Sequence, residues 1–196
     1  MSYLAFLMSL EGISYLSNDE KSSPFNIDRL TALFRQCREV EESIHLSTYL
    51  LAYEELNKKT YVEKNFFYAQ CRICSIIQVL CFSLNAVHKM KILCDCVHSE
   101  NAVHYYSVKT MLDYEKGLGM LEDPNSSANN GSRTLLRLHR ALLFVVRFID
   151  SLLRHLLGNE DANNAEQYLD ALMLECNTVY DVVEKLYSER KLLQLP

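Results

Sequence analysis

Glycine and proline are scarce in this chain, with five and three residues among 196, and tryptophan is absent. Few residues are therefore available to break up regular structure, and the apolar residues recur at helical spacing. Both observations predict an all-α protein. The length suits a single domain that buries a core of its own.

Long apolar runs are missing as well. No window reaches the roughly 18 apolar residues that a membrane-spanning helix needs, and the best candidate, residues 73–84, contains Gln78. The N-terminus lacks the basic segment that opens a secretory signal. A formal net charge of -5 argues against general nucleic-acid binding. We expect a cytoplasmic protein that binds no nucleic acid.

Motifs for catalysis are absent. The chain contains no Ser-His-Asp arrangement in a plausible context, no H-E-x-x-H motif and no glycine-rich phosphate loop. His88, His98 and His104 are scattered along the sequence. We therefore expect no enzymatic activity and no cofactor.

The seven cysteines are odd in number and irregular in spacing, which favours reduced thiols over a disulfide framework. Cys71 and Cys74 form a C-x2-C pair, and Cys94 and Cys96 form a C-x-C pair. A zinc-held scaffold is one interpretation. Buried thiols are the preferred one, because the first pair lies in an apolar, helix-like run. No metal is predicted.

What the chain does contain is an arginine-rich helical pattern that begins with GSRTLLRLHRAL, residues 131–142. At 100° per residue, five arginines share one face between residues 133 and 157, and no acid lies on that face. These arginines are Arg133, Arg137, Arg140, Arg147 and Arg154. The face is either the solvated side of an amphipathic helix or a site for phosphate or carboxylate.

Apolar periodicity predicts the remaining helices. They cover about residues 25–37, 46–57, 66–96 with a break near 83–85, 103–116, 133–157 with Ser132 as its cap, and 165–193. Residues 123–132 and 158–164 are predicted loops. We expect an N-terminal extension over 1–24 and one domain over 25–196.

Several stretches resemble the glycolipid transfer protein family, and most closely its ceramide-1-phosphate transfer protein-like branch. GSRTLLRLHRAL and VYDVVEKLYSERKLLQLP (179–196) are the specific ones. FNIDRLTALFRQC, YLLAYEELNK (49–58) and HYYSVKTMLDYEKGLGML (104–121) follow the same order as in the family. Together they span about two thirds of the chain.

The resemblance implies a two-layer helical sandwich that binds one sphingolipid and moves it between membranes without chemistry, touching membrane surfaces only transiently. It assigns the phosphate of ceramide-1-phosphate to Arg133 and Arg137, with Lys89 and Arg140 as supporting charge. Asn85 stands at the position that binds the lipid amide. Helical facing assigns the acyl chains to Leu30, Phe34, Phe144 and Phe148.

The sequence departs from the family in three places. Asn85 replaces an acid, residues 59–82 match nothing in the family pattern, and about two helices are missing after residue 157. These departures predict an incomplete sandwich with an uncovered apolar face. The alternative function is a transfer-inactive helical lipid-sensing or protein-interaction module.

Overall fold

The structure is a computed structural model that describes residues 26–38, 42–58, 86–122, 130–156 and 163–195, with only the backbone described at 145–156 and 163–166. Within these ranges the chain forms six α-helices and one 3₁₀ turn. They are α1 Ile27–Gln36, α2 Leu46–Leu56, α3 Ala86–Val97, the 3₁₀ turn Ala102–Tyr105, α4 Val108–Gly117, α5 Gly131–Leu156 and α6 Asn163–Glu189. The described part contains no strand, which confirms the all-α prediction.

Helix α1 has a side-chain cap at its start and a regular stripe of buried apolar residues. The Asn26 side chain caps α1 by accepting a hydrogen bond from the Arg29 N–H at 2.9 Å. Leu30, Leu33 and Phe34 recur at helical spacing and are buried. They hold α1 against α2 and α6, as the predicted helix over 25–37 requires.

Helix α5 is central to the packing, because it contacts α3, α4 and α6. Every residue from Gly131 to Leu136 is buried, so the helix begins inside the protein. The Tyr53 hydroxyl of α2 donates to the Leu138 carbonyl at 3.1 Å, which joins α2 to the same helix.

Two predicted helix starts are wrong. Asn130 caps α5, since its side-chain oxygen accepts the Arg133 N–H at 3.0 Å, and Ser132 lies inside the helix. The predicted helix over 103–116 is interrupted: the 3₁₀ turn ends at Tyr105, and α4 begins after Ser107. Ser107 and Thr110 form a capping box there, which periodicity alone did not reveal.

The last helix ends at Glu189, four residues before the predicted end. Lys191 has a φ of 59°, and the Leu192 N–H donates to the Tyr187 carbonyl at 2.9 Å. This is a Schellman motif, in which a left-handed residue closes the helix. The closure turns the last residues back towards α5.

Several predictions fall outside the described residues. These are the extension over 1–24, the non-matching segment 59–82 with the first part of the predicted helix over 66–96, most of the loop 123–132, and the site of the internal deletion after residue 157. The division into 1–24 and 25–196 stays a prediction. None of the described helices is long and apolar enough to cross a membrane.

Candidate functional site

Two cations stand on neighbouring helices, α3 and α5, which pack against each other. Lys89 of α3 is half-buried, and Arg137 of α5 is exposed. Burial lowers the pKa of the Lys89 ammonium, and the positive charge of Arg137 lowers it further. Because these two cations stand on helices that pack against each other, we call Lys89 and Arg137 the cationic pair.

Arg133 lies one helical turn before Arg137 and is buried, with 2% of its surface exposed. Its Nη2 donates to the Leu121 carbonyl at 3.3 Å, so the guanidinium contacts the end of the segment that leads from α4. The three cations thus differ in depth: Arg133 is inside, Lys89 is at the boundary and Arg137 faces solvent. The sequence pattern, read as one basic face, did not separate these environments.

Arg140 points towards another part of the molecule. Its Nη2 donates to the Leu193 carbonyl at 2.6 Å, and the side chain therefore contacts the segment that follows α6. The guanidinium is exposed there. Its assignment as supporting charge for a phosphate stays a prediction, and the side chain is engaged with the C-terminal segment in this structure.

A buried carboxylate fixes the start of α5. Glu115 of α4 is fully buried, and its two oxygens accept the N–H groups of Gly131 at 2.7 Å and Ser132 at 2.9 Å. The Tyr105 hydroxyl donates to the same carboxylate at 3.0 Å. A negative charge at a helix N-terminus satisfies otherwise open N–H groups and complements the helix dipole.

Gly131 is needed for this contact because the space around it is full. A Cβ there would lie 2.7 Å from the Met111 sulfur and 3.0 Å from Glu115 Oε1. On the opposite side, the Tyr187 hydroxyl donates to the Ser132 carbonyl at 2.7 Å. Helices α4 and α6 therefore both hold the turn that carries Arg133. The role of Glu115 was not predicted from the sequence. The one sequence feature that points to this contact is Gly131, the glycine just before the arginines.

The remaining predicted site residues are dispersed. Leu30 and Phe34 are fully buried in the core between α1, α2 and α6. Phe144 is 51% exposed on α5. Asn85 and the side chain of Phe148 lie outside the described residues. The pocket assignment for the acyl chains therefore stays a prediction.

The four cysteines in the described part of the chain are free thiols. Cys94 is buried and Cys96 is half-buried, whereas Cys71 and Cys74 lie outside the described residues. Burial, aided by the charge of Glu115, raises the pKa of Cys96 to about 11. Among the described residues, no group of three or more histidine, cysteine or acidic side chains could hold a metal ion.

His139 of α5 is fully buried and contacts two residues of α6. Its ring stacks on Tyr180 with centroids 4.1 Å apart, and its Nε2 lies 3.0 Å from Glu184 Oε2. Burial lowers the pKa of His139, and the Glu184 carboxylate opposes that shift without reversing it.

A family model described as Glycolipid transfer protein (GLTP) matches residues 78–185, which is more than half of the chain. The chain belongs to the glycolipid transfer protein family.

Within that family the chain is similar to ceramide-1-phosphate transfer proteins. It is 31% identical to the protein of Bos taurus over 134 residues, covering 67% of this chain and 57% of the relative. Identity to the Danio rerio protein is 28% over 130 residues, covering 65% and 56%. The chain thus spans less than two thirds of the length of these relatives.

Solved structures agree on the fold. The crystal structure of mouse ceramide-1-phosphate transfer protein in its apo form matches with a TM-score of 0.64 and 25% identity, covering 88% of this chain and all of that one. The human protein in complex with 2:0 ceramide-1-phosphate matches with a TM-score of 0.67 and 23% identity, covering 89% of this chain and all of that one. The predicted two-layer helical sandwich of the glycolipid transfer protein type is confirmed.

Replacing the buried carboxylate should weaken the domain. In Glu115→Gln, one amide oxygen can accept one of the two N–H groups, while the amide NH2 faces the other. Leaving one buried donor unsatisfied costs about 2 kcal/mol, so urea denaturation should show a loss of that order in the free energy of unfolding. Glu122→Gln, at an exposed acid, should change the value little. Equal stability of the two variants would contradict the role given to Glu115.

Stability should also fall in mild acid because of His139. The unfolded chain takes up a proton on this histidine near pH 6.5, whereas the folded chain does so only at lower pH, since burial lowers the pKa. The contribution of His139 to the free energy of unfolding is therefore fully present above about pH 6.5 and is lost as the pH falls below that value. Thermal unfolding between pH 7.5 and 5 should show a smaller decrease for His139→Gln than for the native chain. His88→Gln, at an exposed site, should follow the native curve, and a His139→Gln curve parallel to it would refute the prediction.

Proposed function

We propose that this chain binds ceramide-1-phosphate, with its phosphate on the cationic pair, and carries it between membranes without chemical change. The observation that carries the proposal is that Lys89 and Arg137 stand on two helices, α3 and α5, that pack against each other. The similarity to proteins named ceramide-1-phosphate transfer protein supports the same ligand.

The energetics of the pair favour an anion. Two neighbouring positive charges repel each other, and partial burial of Lys89 removes some of the water that would screen them. A phosphate placed between the side chains relieves the repulsion and supplies hydrogen-bond acceptors to both. Arginine adds a planar, two-pronged contact that suits a phosphate group.

Arg133 contributes from a different depth. Its guanidinium is held by the Leu121 carbonyl, and the N-terminal turn that carries it is held by Glu115. We assign it to the inner side of the phosphate site, where its positive charge acts in a medium of lower dielectric constant than at the surface. Arg140, bound to the Leu193 carbonyl, contributes at most long-range charge.

The lipid amide and chains complete the proposed ligand. Asn85 stands four residues before Lys89 in the sequence, and its side chain can accept a hydrogen bond from an amide, though without charge assistance. Leu30 and Phe34 supply apolar surface from the core side. We place the working protein in the cytoplasm, with transient contacts to membrane surfaces during lipid uptake and release.

A vesicle-to-vesicle transfer assay with fluorescent ceramide-1-phosphate tests the proposal. In Arg137→Leu, one charge-assisted contact worth about 1.5–3 kcal/mol is lost, so transfer at limiting protein should fall about tenfold or more. Lys185→Leu, at a lysine 65% exposed on α6, is the matched control and should transfer at the native rate.

Circular dichroism of both variants should match the native helical signal, which separates loss of binding from loss of folding. Transfer by Arg137→Leu at the native rate would contradict the assignment of the cationic pair. Absence of transfer by the folded native chain would contradict the function itself.

A further inference from the structure

The turn that ends α4 brings two backbone carbonyls to the start of α5. Gly119 has a φ of 69°, which is left-handed, and the Met120 N–H donates to the Glu115 carbonyl at 3.1 Å. This is a Schellman motif, in which a left-handed residue closes the helix and changes the direction of the chain. The carbonyls of Met120 and Leu121, which follow, both accept hydrogen bonds from side chains at the start of α5.

Asn130 and Arg133 are the two donors. The Asn130 Nδ2 lies 3.3 Å from the Met120 carbonyl, and the Arg133 Nη2 lies 3.3 Å from the Leu121 carbonyl. The side-chain oxygen of Asn130 also accepts the Arg133 N–H at 3.0 Å. Asn130 therefore ties the backbone that carries Arg133 to the backbone that the guanidinium contacts.

These contacts are formed away from solvent. Asn130 is 3% exposed and Arg133 is 2% exposed. A buried polar group that loses its partner is not compensated by water, so the two carbonyls and their donors constrain one another.

Capping alone does not require asparagine at residue 130. Serine and aspartate are about as good at the N-cap of a helix, because a side-chain oxygen is all that the N–H groups need. Asparagine has an NH2 donor in addition, and this donor binds Met120. The bond to the turn is thus a second role, which a substitution can remove while the cap is kept.

The orientation of a guanidinium matters for an anion. Its planar fork gives two parallel hydrogen bonds to a phosphate only when its plane faces the oxygens. An arginine side chain that is already held in one conformation loses less entropy on binding than one that must be ordered. Contact with the Leu121 carbonyl holds Arg133 in this way.

We propose that Asn130 is a positioning residue for phosphate binding. It holds the Met120–Leu121 backbone, and this backbone fixes the orientation of the Arg133 guanidinium before the lipid arrives. The role of Asn130 in lipid selectivity rests on the proposed function, whereas its effect on the orientation of Arg133 does not.

NMR of the arginine side-chain nitrogens tests the orientation without lipid. A restrained guanidinium rotates slowly about its Cζ–Nε bond and gives separate signals for its two Nη atoms, which merge as rotation becomes faster. The native chain should give separate signals for Arg133, identified by their loss in Arg133→Lys. In Asn130→Ser, which keeps the cap and loses the bond to Met120, rotation should be about fivefold faster, as expected for one neutral hydrogen bond.

Lipid retention tests the consequence for selectivity. Each chain is incubated with vesicles that contain equal amounts of ceramide-1-phosphate and ceramide of the same chain length, and the retained lipids are measured by native mass spectrometry. Asn130→Ser should lower the ratio of ceramide-1-phosphate to ceramide about fivefold. A purely structural weakening would reduce retention of both lipids and leave the ratio unchanged.

Two further variants complete the test. Asn101→Ser makes the same substitution at an exposed asparagine whose side chain caps no helix, and it should behave like the native chain. Gly119→Ala strains the same turn from the α4 side and should change both measurements in the same direction as Asn130→Ser.

Unchanged Arg133 signals in Asn130→Ser and Gly119→Ala would overturn the proposal, and so would an unchanged lipid ratio in variants whose Arg133 signals have merged. A native chain that retains ceramide-1-phosphate and ceramide equally would contradict the proposed function instead. The NMR comparison would then still decide whether Asn130 orients Arg133.

Discussion

The arrangement of this domain depends on a carboxylate buried without a solvent-exposed atom. Glu115 accepts the first two N–H groups of α5 and the Tyr105 hydroxyl, and thereby ties α4 and the 3₁₀ turn to the central helix. The contact has no room for a side chain at Gly131. Helix α5 starts in the interior and contacts three other helices. A change in the geometry of its first turn would therefore disturb its packing against all three. The same first turn carries Arg133, so the packing constraint also sets the depth of the arginines.

The arginines of α5 form a candidate site because their side chains differ in burial. Arg133 is buried against a backbone carbonyl, Arg137 is exposed beside Lys89, and Arg140 has turned to the C-terminal segment. A uniformly exposed row would be screened by water and salt. Here Arg133, at one end of the row, is buried, whereas Arg137 is accessible to solvent, and the proposed phosphate site uses both.

Periodicity predicted the elements whose burial follows a simple stripe. α1 and α2 were located within two residues, since Leu30, Phe34 and Leu50 mark their inner faces. The start of α4 was missed because the apolar pattern runs through Tyr105 and Val108, while the capping box at Ser107 interrupts the helix between them. Spacing also grouped Arg133 with Arg137 correctly on one helix. It could not reveal that the helix begins inside the protein, because burial at Arg133 comes from α4 and α6, which are distant in the sequence. The role of Glu115 at the start of α5 could not be predicted for the same reason.

The most direct test of the account is native mass spectrometry of the chain after incubation with vesicles that contain ceramide-1-phosphate and an equal amount of uncharged ceramide of the same chain length. The account predicts one lipid per chain, with ceramide-1-phosphate retained in large preference to ceramide, because only the phosphate engages the cationic pair of Lys89 and Arg137. Retention of both lipids in equal amounts, or recovery of a folded chain without lipid, would contradict it.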